Sequence, residues 1–256
     1  KKEILISTYI CHPSMANNEL SGPVLSSALI QYIKSNFKQP EFTYRFVFSP
    51  ETIGSISYLS KNIEYLKQNV ICGYNLSCVG DNRAFSHIES RMGNSLADHA
   101  LHAGLIGLEN VMLYPFLERG SDERQYCAPG VDLPFCGFAR TKYGEYPEYH
   151  TSDDNFDVVT EEGLSGAFDV MKSIIDAYEM KLFPKATVMC EPQLGKYNLY
   201  PTVSQKGAHV DIIMRLNFLA YADGKHSLFD LSKKIKKNIK SIVEEAKILQ
   251  QHGLIT

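Results

Sequence analysis

The sequence contains no apolar run approaching the roughly 20 residues needed to cross a bilayer, and no charged-then-apolar leader opens it. A membrane-spanning helix is therefore excluded as a reading of the chain. Its six cysteines (Cys11, Cys72, Cys78, Cys127, Cys136 and Cys190) form no Cys-x-x-Cys pair and no dense framework, which argues against a disulfide scaffold. Buried free thiols in a reducing, cytoplasmic setting are expected instead. An excess of one charge is also missing. The 26 Lys and Arg against 29 Asp and Glu leave a net charge of −3, too little for strong overall attraction to nucleic acid or anionic lipid. No initiator Met precedes the first strand-like run, so residues upstream of Lys1 are expected in the intact protein.

The 256 residues, 44% hydrophobic and 21% charged, suit one α/β domain plus a small appended module. Strand-like runs at Ile4 to Ile10, Tyr44 to Phe48, Val70 to Val79, Val111 to Tyr114 and Leu133 to Ala139 alternate with helical spacings. The helical patterns cover Ser21 to Phe37, Gly54 to Leu66, Ser95 to Gly104 and Glu161 to Lys181. Such alternation predicts a mixed, mostly parallel sheet covered on both faces. Gly120 to Pro129 reads as a charged loop, and Tyr143 to Asp157 as a long polar one. After Phe183-Pro184 the texture changes. Glu191 to Ser204 has a linker composition, and Val210 to Ala222, Ser227 to Ile235 and Ile239 to Gln251 are three helical patterns, with Ser227 a natural N-cap. We expect a domain over 1–184, a linker or docking arm over 185–205 and a winged-helix-like domain over 206–256.

Several residues carry possible chemistry. His12 stands at the end of the first strand, before Pro13, and neutral imidazole is the commonest zinc ligand. The plainer reading is a polar residue at a strand end. Cys11 is either a small hydrophobe filling the strand or a thiolate beside that ligand. Asn18 and Ser21 enter the first long helix, where either can act as a cap. Glu51 ends the second strand. It is suited to serve as a general base beside a metal, or simply to stabilise the next helix N-terminus. His150 lies in the long polar loop near Asp153, Asp154 and Asp157, and a carboxylate behind a ligating imidazole fixes its tautomer. Ser121-Asp122-Glu123-Arg124 adds a further carboxylate pair with an adjacent Arg, and reads equally as a solvated surface turn.

Taken in order, these segments resemble the zinc aminopeptidases of the bacterial secreted type and their glutaminyl-cyclase relatives. The segments are His12, then Asn18-Glu19-Leu20-Ser21-Gly22, then Glu51-Thr52-Ile53-Gly54-Ser55, then Ser121-Asp122, then His150-Thr151 followed by Asp154 and Asp157. The family pattern runs H-x-D, D-N-x-S-G, E-E-x-G, L-D-M-V-G, S-D-H and H-T-x-x-D-T-x-D, and the likeness covers Lys1 to about Lys181. A nearer likeness over the whole chain is to a group of bacterial proteins with an aminopeptidase-like domain and a C-terminal winged helix. They share C-H-P-S-x-A-N-D-x-L-S-G, P-E-T-I-G-S, G-S-D-E-R-Q-Y and E-Y-H-T-S segments. That group's association with surface-polysaccharide gene clusters implies a setting and not a substrate.

The resemblance implies a three-layer α/β zinc-aminopeptidase-like fold, with His12, Asn18 and His150 at the metal, Glu51 as general base and Asp122 as a hydrogen-bonding partner near the catalytic water. Three departures stand against a two-zinc site. Asn18 replaces the bridging Asp, Thr52 the second Glu, and Ser77 the Asp of L-D-M-V-G. A neutral amide is a poor substitute for an anionic oxygen. The expectation is therefore a single, weakly held zinc in a hydrolase acting on an amide bond. The alternatives are a glutaminyl-cyclase-like transferase or an inactive binding module.

A small peptide or amide-containing molecule is the expected partner, with no membrane association; a homo-oligomer stays open. From Lys206 onward, nine Lys or Arg stand against five Asp or Glu, with Lys233, Lys234, Lys236, Lys237 and Lys240 clustered. Nucleic acid is thereby a lesser alternative, and the lysines are read by default as a solvated face.

Overall fold

The computed structural model describes residues 1–200 and 208–256, so the last part of the expected linker, 201–205, lies outside the described residues. The chain divides into two compact units, Lys1–Lys172 and Ser173–Thr256.

The first unit is built on a six-stranded sheet. β1 (Glu3–Tyr9) is buried at all seven positions, as a strand covered on both faces requires. It pairs in parallel with β2 (Thr43–Ser49) on one side and β3 (Val70–Leu76) on the other. β3 continues in parallel to β6 (Phe135–Ala139), and β6 pairs antiparallel with β4 (Phe85–Ile88), which is parallel to β5 (Val111–Tyr114). The order is β2-β1-β3-β6-β4-β5. Four parallel strands thus end at one edge, where open α/β sheets place their ligands. The expected mixed, mostly parallel sheet is present.

The connecting helices are α1 (Ser21–Asn36), α2 (Ile53–Asn69), α3 (Leu96–Leu105), the short α4 (Glu123–Tyr126) and α5 (Glu161–Glu179), whose last residues belong to the second unit. α3 starts with a capping box, in which Ser95 and Asp98 satisfy each other's backbone N–H. Two glycines let helices approach the strand ends closely. A Cβ on Gly22 would fall 2.2 Å from Thr8 Oγ1 and 2.5 Å from the Leu76 carbonyl oxygen, and one on Gly163 would fall 1.9 Å from the Gly80 carbonyl oxygen.

Three expectations need correction. The third strand stops at Leu76 rather than Val79, because Cys78 takes a positive φ of 52° and turns the chain. β4 has no counterpart among the strand-like runs of the sequence. The segment expected to be an exposed charged loop carries α4, with Ser121, Asp122 and Glu123 fully buried. Most of their polar groups find partners inside: Ser121 Oγ lies 3.0 Å from Asn75 Nδ2, and Glu123 accepts from the Gly120 and Ser121 N–H groups at 3.0 Å, whereas Asp122 Oδ2 has no partner among the described residues.

The second unit holds α6 (Ala208–Tyr221), α7 (Leu228–Ile235) and α8 (Ile239–Gln251) around Phe218, Leu228, Phe229, Leu231, Ile242 and Leu249. Ser227 caps α7 in a capping box with Asp230, as the sequence predicts. Arg215 on α6 forks onto Glu245 on α8 at 2.6 and 3.2 Å and donates to the Leu199 carbonyl oxygen at 2.9 Å. Glu245 is thereby turned inward, whereas the clustered lysines are exposed. Among the described residues, no helix is long and apolar enough to cross a membrane.

Candidate active site

The cleft forms at the edge where β1, β2, β3 and β6 end. His12 follows β1, Glu51 follows β2, Ser77 and Cys78 follow β3, and the 140–157 loop follows β6. The structure brings His12 and His150 together, with ring centroids 5.0 Å apart and planes at 30°. They sit within a column of rings. Tyr149 stacks on His150 at 3.9 Å, and Tyr9 meets His12 edge-on at 5.7 Å. His150 reaches this position from a left-handed backbone (φ 57°) and is exposed, so the cleft is open on that side.

One turn of π-helix, Ala16–Leu20, precedes α1 and presents Asn17, Asn18 and Glu19. Its leading N–H groups, from Asn17 and Asn18, donate to the two oxygens of Asp154 at 2.6 and 3.0 Å. Tyr146 Oη adds a third bond to Asp154 at 3.0 Å. This buried carboxylate therefore joins the long loop to the π-turn instead of standing behind His150. Asn18 is buried; its Nδ2 donates to Tyr9 Oη at 2.7 Å and lies 3.7 Å from Cys78 Sγ. Its Oδ1 has no partner among the described residues, and turning the amide over exchanges which atom is orphaned. Burial keeps both neighbours protonated, raising the Cys78 thiol to about 12 and holding the Tyr9 phenol well above its usual value.

Glu51 is held by Ser121, whose Oγ donates to Oε1 at 2.7 Å. The next residue, Thr52, adopts φ 60°, ψ −68°, and the Ile53 N–H closes onto the Glu51 carbonyl oxygen at 2.6 Å. This is a γ-turn of the rare positive-φ kind, costly for a β-branched residue. Asp122 Oδ1 receives the Thr52 N–H at 2.7 Å and Ser55 Oγ at 2.9 Å, while Arg124 Nη2 donates to Thr52 Oγ1 at 2.6 Å. Asp122 thus anchors the turn that carries Glu51. Burial raises it to about 6, with the charges of Glu51 and Glu123 adding to that rise and the Thr52 and Ser55 donors opposing it.

Cys11 lies beyond the strand end and is exposed, so it does not fill the strand. Its Sγ is 3.2 Å from His12 Nδ1 and receives the Glu51 N–H at 3.2 Å. Although the residue is exposed overall, partial burial of its thiol pushes it up, and the carboxylates of Glu19, Glu51 and Asp122 act in the same direction. Glu19 Oε2 accepts the His12 N–H at 2.8 Å and stands 3.6 Å from Nδ1. Sequence reasoning assigns no role to Tyr9, Glu19 or Ser121. Ser121 stands beside Asp122 in the Ser-Asp pair of the family pattern, which could have marked it; Tyr9, in a strand buried at all seven positions, and Glu19 carry no local signal.

Matched against known families, residues 1–181 fit one described as a domain of unknown function (DUF4910). The chain belongs to this family. Residues 182–256 match a winged helix-turn-helix. A Clostridium acetobutylicum protein provisionally named as a polysaccharide biosynthesis protein with an aminopeptidase-like domain is 34% identical over 262 residues, covering 100% of this chain and 58% of its own. The chain thus spans somewhat over half the length of that relative. The crystal structure of a provisionally assigned peptidase from Clostridium acetobutylicum superposes with a TM-score of 0.85 at 33% identity, over 100% of this chain and 57% of that one. A zinc aminopeptidase from Bacillus subtilis gives 0.58 at 18% identity, covering 68% of this chain and 45% of that one. An Acidobacteriales bacterium glutaminyl cyclase gives 0.55 at 14%, over 70% and 69%. This DUF4910 member therefore has the aminopeptidase-like fold that its motifs imply.

The donor set around His12 fits one ion of the zinc type. It offers imidazole, thiol and carboxylate atoms, from His12, Cys11 and Glu19, within 4.8 Å of one another. It does not fit two, because Asn18, Thr52 and Ser77 carry no charge where the family pattern has carboxylates.

Proposed function

We propose that this domain is a single-metal hydrolase of amide bonds in small peptides or related molecules. The observation that carries the reading is the approach of His12 and His150 to 5.0 Å at the sheet edge where Glu51 is also anchored. His12 and His150 would hold a zinc ion, with Asn18 Oδ1 a neutral third donor. Bound there, such an ion would polarise an amide carbonyl and lower the pKa of water. Glu51 takes the proton of the attacking water and returns it to the leaving amine. Ser121 orients Glu51 through one carboxylate oxygen, and the column Tyr149–His150–His12–Tyr9 provides aromatic faces for an apolar side chain of the substrate. A glutaminyl-cyclase-like transferase would use the same groups, with a substrate amine in place of water.

Replacement of Glu51 by Gln is the test. Turnover of a panel of aminoacyl anilides and N-terminal glutaminyl peptides is expected to fall by about 10²–10⁴-fold, the usual worth of a general base. Metal content should not change. Undiminished turnover in E51Q would refute the assignment.

A metal-free binding cleft is a second reading, favoured by the Nδ2 of Asn18, which donates to Tyr9 Oη where the family pattern has a carboxylate. Peptide binding by the wild-type protein with no turnover and no bound metal would support it.

A further inference from the structure

The family pattern supplies metal ligands from carboxylates that this chain has lost, but the cleft contains anionic donors that the pattern does not use. Cys11 Sγ, His12 Nδ1 and a Glu19 carboxylate oxygen all lie within 4.8 Å of one another. Sγ to Nδ1 is 3.2 Å, and Nδ1 to Glu19 Oε2 is 3.6 Å. Around a tetrahedral zinc with bonds of about 2.0–2.3 Å, neighbouring ligand atoms lie about 3.3–3.8 Å apart. The observed spacing is close to that of a ligand shell. These atoms converge because Glu19 projects from the π-turn and accepts the His12 backbone N–H at 2.8 Å, drawing the end of β1 against the turn.

We propose that Cys11 Sγ, His12 Nδ1 and Glu19 Oε2 form the binding site for one divalent ion of the zinc class. The proposal rests on the single-metal reading above, keeps its His12, and replaces its His150 and Asn18 donors with two anionic ones. Two observations support it besides the spacing. The Glu51 N–H points at Cys11 Sγ from 3.2 Å, the kind of donor that stabilises a sulfur carrying negative charge. The set is one thiolate, one imidazole and one carboxylate, which suits zinc and leaves a fourth position open, as in catalytic sites. His150 and Asn18 are not required for that count.

Cobalt(II) is the probe, because a thiolate ligand gives it a near-ultraviolet charge-transfer band that imidazole and oxygen ligands do not. Wild-type protein is expected to bind one equivalent of Co²⁺ with that band. C11S should lose the band. Both C11S and E19Q should bind more than about 100-fold more weakly, beyond the 10–100-fold typical of losing an outer partner. H150A and N18A should keep the band. Circular dichroism checks that each variant is folded; Cys11 is exposed and E19Q keeps an acceptor for the His12 N–H.

Cobalt binding without the sulfur band, abolished by H150A, would overturn this ligand set while leaving the single-metal reading intact. Absence of Co²⁺ and Zn²⁺ binding in wild type would overturn both. A band that survives C11S would refute the assignment of Cys11.

Discussion

Asp122 Oδ1 accepts the Thr52 N–H at 2.7 Å and so holds in place a strained peptide of the cleft, the one that aims Glu51. The clamp is completed by Ser121 on the Glu51 carboxylate and Arg124 on the Thr52 hydroxyl. Four consecutive residues, 121–124, thus include three that fix the orientation of one candidate base.

The clamp has a pH signature. Burial raises Asp122 to about 6 from 3.8. A carboxyl with a raised folded pKa binds more protons when folded, so its stabilising contribution is fully present below about pH 4 and lost as pH rises through about 6. Two pKa units correspond to roughly 2–3 kcal/mol. The stability of wild type relative to D122N should therefore fall by about that amount between pH 4 and pH 7, measured by urea denaturation at each pH. A difference that does not vary with pH would contradict the assignment.

Asp154 is the buried tie between the π-turn and the His150 loop. Removing it leaves two backbone N–H groups and a phenol without their acceptor. D154A should cost about 3 kcal/mol or more in urea denaturation, each orphaned donor contributing about 1 kcal/mol or more. A loss below about 1 kcal/mol would mean that water or another group takes over these donors.

Gly163 faces a backbone atom, not a side chain that could swing aside. A methyl there would stand 1.9 Å from the Gly80 carbonyl oxygen, so α5 or the loop after β3 would have to move. G163A should lose about 2–3 kcal/mol, the upper part of the range for overpacking, and its thermal midpoint should drop by several degrees.

In the C-terminal unit, Arg215 and Glu245 form a bidentate pair, both buried. R215A strands a buried carboxylate and should destabilise the chain by about 3–5 kcal/mol, whereas R215M combined with E245L should come close to wild type. Chemical denaturation of both variants separates the cost of an unpaired charge from the net worth of the pair.

The strands and helices that bear continuous apolar patterns are legible in the sequence: β1, β2, β5, α1, α2 and α8 fall within a few residues of their expected bounds. His12, Glu51 and His150 are legible through motif order. The remainder is hidden for physical reasons. β4 contains Ser86 and His87, both buried, and satisfies them through Arg140 and Asp98, partners distant in sequence or on another element. Ser121 to Glu123 looks like surface because burial there is made possible by tertiary hydrogen bonds, which leave no periodic trace. Glu19 projects from a π-turn, whose five-residue step does not follow the 3.6-residue pattern used to read helices.

The Asp154 carboxylate binds the Asn17 N–H across 137 positions of chain. During synthesis, an emerging polypeptide contains the first histidine long before it contains the tie that brings the second one over it. At about 5–20 residues per second, that interval lasts on the order of ten seconds. The cleft is consequently assembled late, when the whole sheet has already been made, and the early Cys11–His12–Glu19 corner waits without its roof.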